Sequence, residues 1–472
     1  MAGGIPVSAE FVSQIAVKEI EDGRFGSYIE KSTRYVAFDK KLSNSEFMFY
    51  KDPDIIKSKF GDQYLELMRD LFTSYAKFIE PMSKYLKEQN PIENLSFRLG
   101  DSSIKINEFE SNKDKYTISI DDLKKAYDNS IKANALDLLR DYLPMSTLTH
   151  VGMTMSPRAY EAMLIKMKAS PLFEARTISD NLHQELFKVV PSLVKRIDDK
   201  HGNEFKKFIK ERNDNSRLLT KQIIQNMKIE DSDDATLVDY TGRKAEDPNE
   251  YAASKLVAMI MYPHADGQTM QQLVAKASSM SMNEKENVIS AYVGNRGNRR
   301  HKPGRAFEAV DYDFDLKGRI GIYRDIQRHR VGTQERQNFS PNLGYQMRKE
   351  FENIGIADDY KNKMEKVREL YSNMYEIMPH QAQYVVTFGF QMRWRYSFSA
   401  RQLYHFGELR TTPQGHPDYR KLVQEIGTKV KAVHPAVLKH MKFLDMSDKQ
   451  IGRLDSEIRI AVKKSQLATP KQ

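Results

Sequence analysis

Three basic or proton-carrying side chains, Arg328, His329 and Arg330, stand in a row at the end of a predicted helix. Adjacent cations repel one another, so a fold that concentrates them usually holds an anion there. The planar guanidinium group of arginine can bind a phosphate or a carboxylate through two parallel hydrogen bonds. A solvated helix end, where positive charge complements the helix dipole, is the other explanation. The triplet alone leaves both interpretations open.

A second group of candidate binding residues lies near the start of the chain. In an extended segment Glu30, Ser32 and Arg34 would share one face, which would place a carboxylate, a hydroxyl and a guanidinium group side by side. An exposed strand edge or loop explains this spacing equally well. Arg140 ends a helical run shortly before a proline, and an ordinary helix C-terminus is an alternative for it.

Two further basic groups lie in the C-terminal half. Arg401 and His405 are one turn apart on a predicted helix that continues to Arg410, although His405 by itself is more simply a structural histidine. The other group is a candidate nucleic-acid contact, because phosphate contacts supply most sequence-independent affinity, but few aromatic side chains are interleaved to stack on bases. Its members are Arg296, Arg299, Arg300, Lys302 and Arg305.

The composition narrows the kinds of site that the chain can build. A net charge of +10 and a pI near 9.2 favour anionic partners such as nucleic acid, phosphorylated metabolites or acidic surfaces. The chain has no cysteine, which excludes disulfides, thiolate zinc sites and a cysteine nucleophile. The sequence also lacks a phosphate-binding glycine loop and a cluster at metal-ligand spacing. Arginines, a serine and carboxylates without a metal are typical of a site for a phosphorylated ligand or a flavin.

The elements that position these residues are predicted to form two modules. The length of 472 residues fits two domains, and hydrophobic periodicity predicts a helix over 54–90 followed by an inserted excursion near 90–130. Similar short segments recur at matched spacing, with 33 residues from Arg158 to Pro191 and 34 from Arg401 to Pro435. We therefore expect modules at 1–225 and 251–472, joined by a polar linker at 226–250.

The C-terminal module resembles the flavin-dependent thymidylate synthases. Arg328, His329 and Arg330 are similar to the start of the family signature R-H-R-x-x-S-x-N-E-x-S-x-R-Y. Phe307, with Glu308 after it, lies 21 residues before Arg328, as the Phe-Glu pair of the family does. Residues 399–403 are similar to the family's Asn-Ala-Arg-Ser-Leu segment, and residues 408–410 are similar to its Asn-Leu-Arg segment.

The N-terminal module resembles the same family at other points. Residues 30–35 are similar to the second half of the signature, and the segment from Arg140 to Pro144 is similar to a family Arg-x-x-Leu-Pro. The chain opens near the place of the Phe-Glu pair, so the resemblance implies a first copy with a shortened start.

The two copies depart from the family in complementary ways. The first copy has Asp22, Gly23 and Arg24 in place of Arg-His-Arg. The second copy has Asn338 in place of the signature serine and Ser340 in place of the signature arginine. It also has Gln383 and Thr387 in place of the arginine and the proline of Arg-x-x-Leu-Pro. Each copy retains what the other has lost. We therefore expect one hybrid site that draws on both modules.

The resemblance implies an α+β fold of two tandem modules, each with an antiparallel sheet and helices, and reductive methylation of dUMP to dTMP. FAD would pass a hydride from NADPH, and methylenetetrahydrofolate would supply the carbon. Ser32 is the expected catalytic residue, Glu30, Arg34, Arg140 and Arg410 are expected to bind dUMP, and no metal is expected. The residues expected to bind the flavin are Glu308, Arg328, His329, Arg330, Ser399 and Arg401.

The start of the chain has no charged region followed by an apolar core, and no segment approaches 18 uninterrupted apolar residues, so we expect a cytoplasmic protein with no membrane partner. The tandem arrangement predicts a homodimer of four modules. The alternative is a catalytically inactive member of the fold that acts as a structural or nucleic-acid-binding component through the basic surface from Arg296 to Arg305. Its sequence support is the altered signature and the positive net charge.

Overall fold

The computed structural model describes residues 4–43, 45–99, 102–111, 118–448 and 453–468. Its strands all pair in antiparallel fashion. They are β1 Ile5–Ser13, β2 Gly26–Glu30, β3 Ser96–Leu99, β4 Ser102–Lys105, β5 Leu148–Met155, β6 Ala235–Tyr240, β7 Asp311–Arg319, β8 Thr333–Arg336 and β9 Gln391–Ser399.

Helices cover these sheets and make up most of the remaining structure. The helices of the first half are α1 Gln14–Ile20, α2 Pro53–Lys57, α3 Gly61–Gln89, α4 Ile106–Ser111, α5 Ile120–Leu139, α6 Pro157–Lys168, α7 Phe173–Val189, α8 Pro191–Val194 and α9 Lys200–Ile223. Those of the second half are α10 Pro248–Met261, α11 Met270–Ser278, α12 Met282–Val293, α13 Ile320–Ile326, α14 Lys349–Asn353, α15 Ala357–Tyr375, α16 Ala400–Arg410, α17 Pro417–Val433, α18 Pro435–Leu438 and α19 Leu454–Ala468.

The two main sheets repeat one arrangement, which confirms the predicted α+β fold of tandem modules. In the first sheet β1 and β2 flank β5, and in the second β7 and β8 flank β9. In both modules the first strand leads directly into a short helix, α1 or α13, and the central strand leads into α6 or α16. The predicted linker is wrong in one part, because β6 lies within 226–250 and pairs with β7 as the edge strand of the second sheet.

The modules meet through equivalent segments that precede the two central strands. Pro144 and Thr387, which correspond in the sequence comparison of the two copies, form a bridge with each other. The surrounding backbone hydrogen bonds occur in pairs that a pseudo-twofold axis interchanges. They run from Met145 to Val386 (2.8 Å) and from Phe388 to Leu143 (3.0 Å), and from Ser146 to Tyr384 (3.1 Å) and from Gly389 to Asp141 (3.2 Å).

The side chains on the two sides of this axis differ in charge. Asp141 accepts a hydrogen bond from Arg348 Nε at 2.6 Å. Its counterpart is Tyr384, whose hydroxyl donates to Glu174 at 2.8 Å. The axis therefore relates the backbones of the modules but not their electrostatics.

One continuous apolar core runs through both modules, and ring contacts cross it where Tyr142 packs against Phe351 and Tyr360. The single helix predicted over 54–90 is two helices, α2 and α3, because Ser58 ends the first by donating to Ile55. Among the described residues, no helix combines the length and the apolar character needed to cross a membrane.

A small second core lies beside the first module. It contains Phe97 and Ile106 from the predicted excursion together with Leu454 and Ile458 of α19. Residues 100, 101 and 112–117 of the excursion lie outside the described part of the chain. The excursion is thus a hairpin with helices, and the C-terminal helix completes its core.

Candidate functional site

Glu30, the last residue of β2, joins the two modules. Its buried carboxylate accepts hydrogen bonds from Arg324, from Arg328 Nη2 at 3.0 Å and from Gln14 Nε2 at 3.1 Å. Burial alone would raise the pKa of Glu30, but the charges of Arg324, Lys18 and Arg328 outweigh it and lower the pKa to about 2. Glu30 is therefore an ionised carboxylate held by arginines of the other module.

Arg34 and Arg140 gather around Asp137 of α5. Arg34 Nε donates to both oxygens of Asp137, at 2.9 and 3.0 Å, and Arg140 Nη1 lies 3.7 Å from the same carboxylate. Helix α13 approaches this group closely, because a Cβ atom at Gly321 would lie 3.2 Å from Arg140 Nε. The second module is thus packed directly against both arginines.

Arg410 connects the end of α16 to the basic triplet. Its Nε donates to His329 Nε2 at 2.7 Å, and its Nη1 donates to Asp325 Oδ1 at 3.3 Å. Burial, reinforced by the charge of Arg410, lowers the pKa of His329 well below its usual value. His329 is therefore neutral, and because Nε2 accepts, its proton is on Nδ1.

Asp325 is the carboxylate at the centre of this group. Burial would raise its pKa, but the charges of Arg34, Arg410, Arg140 and Arg328 outweigh it and hold the pKa well below the usual range. Residues from both modules therefore surround one ionised group.

We call these residues the intermodule arginine cluster. Its five arginines face three carboxylates, which leaves two positive charges in excess, and the members are Arg34, Arg140, Arg324, Arg328, Arg410, Glu30, Asp137 and Asp325.

Several guanidinium nitrogens of the intermodule arginine cluster lack a partner. Among the described residues, Arg34 Nη2, Arg140 Nε and Arg324 Nε are buried with no hydrogen-bond acceptor. An unsatisfied buried donor costs about 1–3 kcal/mol, and more when it is charged. A phosphate monoester carries about 1.5 to 2 negative charges and three acceptor oxygens, so it would offset both the charge and the missing acceptors.

The structure places Glu308, Ser399 and Arg401 in a second group. Arg401 Nη1 donates to Glu308 at 2.9 Å, and Ser399 caps α16 by accepting from the backbone N–H of Gln402 at 3.4 Å. The ring of His405, farther along α16, lies 5.6 Å from that of His329. The second group therefore leads towards the intermodule arginine cluster.

Positive charge follows this path. Burial lowers the pKa of His405 to about 4, and the charges of Lys302, Arg299, Arg410 and Arg401 reinforce the shift. We call Arg299, Lys302 and Arg401 the cationic strip, and the neutral ring of His405 lies beside it. A strip of this kind, ending at the intermodule arginine cluster, suits a ligand with more than one phosphate group.

Arg330, the last residue of the triplet, points to a different place. Its guanidinium group lies 4.4 Å from the ring centre of Tyr28, and its Nη2 donates to the carbonyl oxygen of Gly26 at 3.4 Å. It lines a cavity of about 370 Å³ together with Asp22 and Lys166. The triplet is therefore divided between two environments.

The prediction that Glu30, Ser32 and Arg34 share one face of an extended segment is wrong. Strand β2 ends at Glu30, and a turn follows in which the N–H groups of Tyr35 and Val36 donate to the Ser32 carbonyl oxygen at 3.4 and 3.2 Å. The Ser32 hydroxyl accepts from the Arg34 N–H at 3.2 Å. The turn nevertheless brings Glu30 and Arg34 into one cluster.

The basic side chains in the segment before Glu308 are not all exposed. Arg296 is buried, donates to Glu408 through Nη1 at 2.7 Å and lies between the rings of Tyr404 and Phe443, 5.0 and 5.2 Å from their centres. This arginine therefore stabilises the second module and is not available to nucleic acid.

Sequence reasoning missed three residues of the intermodule arginine cluster. Asp137 precedes Arg140 by three residues, and Arg324 and Asp325 precede Arg328 by four and three. On a helix this spacing brings side chains onto one face. Acidic residues three positions before the predicted arginines were therefore a usable signal.

Comparisons with known proteins show the family to which the chain belongs. The thymidylate synthase complementing protein family matches residues 5–192 and again residues 236–436. Similar relatives are UPF0159 proteins of Chlamydia pneumoniae (32% identical over 463 residues, 97% of this chain and 80% of the relative), Chlamydia muridarum (30% over 458 residues, 97% and 80%) and Thermoplasma acidophilum (27% over 460 residues, 97% and 88%). The chain belongs to the thymidylate synthase complementing protein family, that of the flavin-dependent thymidylate synthases, as a tandem of two family units.

Proposed function

We propose that this protein converts dUMP to dTMP by reductive methylation, with FAD, NADPH and methylenetetrahydrofolate. The observation that carries the proposal is the intermodule arginine cluster, where buried guanidinium nitrogens of Arg34 and Arg140 have no acceptor among the residues that the structure describes. Family membership supplies the reaction class. The nucleotide phosphate would supply the missing acceptor oxygens.

In this proposal the nucleotide lies between the two modules. Arg34, Arg140 and Arg410 bind its phosphate, and the ionised Glu30 holds two further arginines of the cluster beside it. Ser32 has its hydroxyl in the turn that carries Arg34 and would contact the reactive edge of the uracil. Ion pairs within the protein hold Glu30, Arg34 and Arg410 in place.

The flavin would extend along the cationic strip. Arg401 is fixed by Glu308, and Ser399 fixes the start of α16, so both position positive charge for the phosphates of FAD. Arg328, His329 and Arg330 would contact the remainder of the cofactor. Bound FAD would supply hydride transfer, which no side chain of this chain can perform. We further propose that two copies associate in the cytoplasm into a four-module homodimer.

The experiment is the visible spectrum of the purified protein followed by a tritium-release assay with labelled dUMP. We expect a yellow protein whose flavin is reduced by NADPH and which releases tritium only with methylenetetrahydrofolate present. A colourless protein that takes up no added FAD would contradict the proposal.

Two variants separate the flavin group from the nucleotide group. Arg401→Ala should lower flavin affinity by about tenfold or more, the effect of one lost charge-assisted contact. Arg395→Ala, which removes an exposed arginine paired with Asp313 at 2.7 Å, is the matched control. Ser32→Ala should retain flavin but lose turnover, and normal turnover in that variant would refute the role given to Ser32.

The alternative of a nucleic-acid-binding component rests on the exposed arginines Arg300 and Arg305. It predicts salt-sensitive binding of RNA or DNA by a protein without flavin. The burial of Arg296 removes part of its basis.

A further inference from the structure

Arg453 reaches the intermodule arginine cluster from the C-terminal end of the chain. Its Nη2 donates to Asp137 Oδ2 at 2.7 Å, and its side chain is 4% exposed. The same carboxylate accepts from Arg34. The family match ends at residue 436, so this arginine comes from outside the matched region.

The position of Arg453 is set by the helix that follows it. Helix α19 begins at Leu454, and both Leu454 and Ile458 are buried in the small second core of the excursion. The guanidinium group of Arg453 also lies 5.3 Å from the ring centre of Tyr35, the neighbour of Arg34. Docking of α19 therefore holds a guanidinium group beside the predicted nucleotide residues.

The charges around Asp137 are not balanced by protein groups. Arg34, Arg140 and Arg453 all lie against this one carboxylate, and with Arg453 the intermodule arginine cluster has six arginines against three carboxylates, an excess of three positive charges. Each of the three also has a buried nitrogen without an acceptor in the described parts of the chain, and these are Arg34 Nη2, Arg140 Nε and Arg453 Nη1.

Three arginines on three separate elements therefore converge on Asp137, and among the described residues each keeps one buried donor without an acceptor. If Arg453 had only a structural role, the hydrogen bond to Asp137 would be sufficient. Burial of a further charged donor without an acceptor would then only destabilise the fold. A phosphate dianion would offset two of the excess positive charges and supply acceptor oxygens for the free donors.

We propose that Arg453 is a phosphate-binding residue of the nucleotide site, delivered by α19 docked on the excursion. The proposal rests on the proposed function, because the ligand it assigns is the phosphate of a nucleoside monophosphate. The excursion and α19 thereby gain a role in substrate binding.

The test is calorimetric titration of the full-length protein with dUMP, deoxyuridine and inorganic phosphate. Arg453→Ala should lower the affinity for dUMP about 10- to 100-fold, the range of a charge-assisted hydrogen bond, and weaken inorganic phosphate similarly. Binding of deoxyuridine, which has no phosphate, should not change. Arg453→Lys should restore part of the loss, and Arg459→Ala, an exposed arginine on the same helix, is the matched control.

The outcomes distinguish this proposal from the proposed function. Unchanged dUMP affinity in Arg453→Ala, or an equal loss for dUMP and deoxyuridine, overturns the role of Arg453 even if the wild-type protein makes dTMP. Selective loss of phosphate binding supports it even if no dTMP is formed. A wild-type protein that binds neither dUMP nor inorganic phosphate overturns both. If the alanine variant does not fold, Arg453→Gln, which keeps a donor for Asp137, takes its place.

Discussion

Glu30→Gln should destabilise the protein by about 3 kcal/mol or more at pH 7. The Glu30 side chain is fully buried and accepts from two arginines of the other module and from Gln14. A hydrogen bond to a charged group contributes about 1.5–3 kcal/mol, and removal of one partner of a buried ion pair costs about 3–5 kcal/mol. Glutamine is similar in size, so the change isolates the charge. Urea unfolding followed by tryptophan fluorescence and circular dichroism measures the difference.

The pH dependence gives a sharper test. The folded-state pKa of Glu30 is lowered to about 2, whereas an unfolded glutamate titrates near about 4.3. Its contribution is therefore fully present above about pH 4.3 and declines as the pH falls towards the folded-state pKa. The difference between wild type and Glu30→Gln should shrink between pH 5 and pH 3, measured at about one-unit steps.

The control is Glu185→Gln, which removes an exposed carboxylate paired with Lys188 at 2.6 Å. Exposed pairs contribute about 0–1 kcal/mol, so this variant should unfold like wild type. A Glu30→Gln difference below about 1 kcal/mol at pH 7, or one that stays constant down to pH 3, would refute the electrostatic role of Glu30.

Two other changes test the buried charges. Arg296→Ala should lower the free energy of unfolding by about 3–5 kcal/mol, because it leaves the buried Glu408 without its partner. Urea unfolding measures this difference, and an unchanged unfolding midpoint would contradict a stabilising role for Arg296. Burial raises the pKa of Glu174 to about 7 despite hydrogen bonds from Ser13 and Tyr384. Folding favours the protonated form of Glu174, so the free energy of unfolding should fall as the pH rises from about 4.3 through about 7. Glu174→Gln should remove this pH dependence in denaturation curves, and an equal pH dependence in the variant would contradict the prediction.

The sequence was sufficient to predict the two modules, and several residues that it singles out in each of them lie together in the intermodule arginine cluster. Motif residues lie where strands and helices end, and Glu30 and Arg328 both occupy such positions on facing elements. The local backbone was not predictable from alternation, because a two-residue period at 30–34 fits a strand and a turn alike. The partner of Arg296 is also invisible locally, since Glu408 lies 112 residues away. The sequence predicts a linker where β6 lies because this short strand stands between two polar segments, 231–234 and 243–249.

The unequal charges across the pseudo-twofold axis restrict how modules can be exchanged. If two N-terminal modules of different chains paired with each other, Asp141 of one would take the place of Tyr384 beside Glu174 of the other. Asp141 would then lose Arg348, and Glu174 would lose the hydroxyl of Tyr384. Such like-with-like pairing would bury unpartnered groups. Each N-terminal module therefore pairs selectively with a C-terminal module. Two chains could exchange modules only reciprocally, and a strand-swapped oligomer would still contain the pairs of Asp141 with Arg348 and of Glu174 with Tyr384.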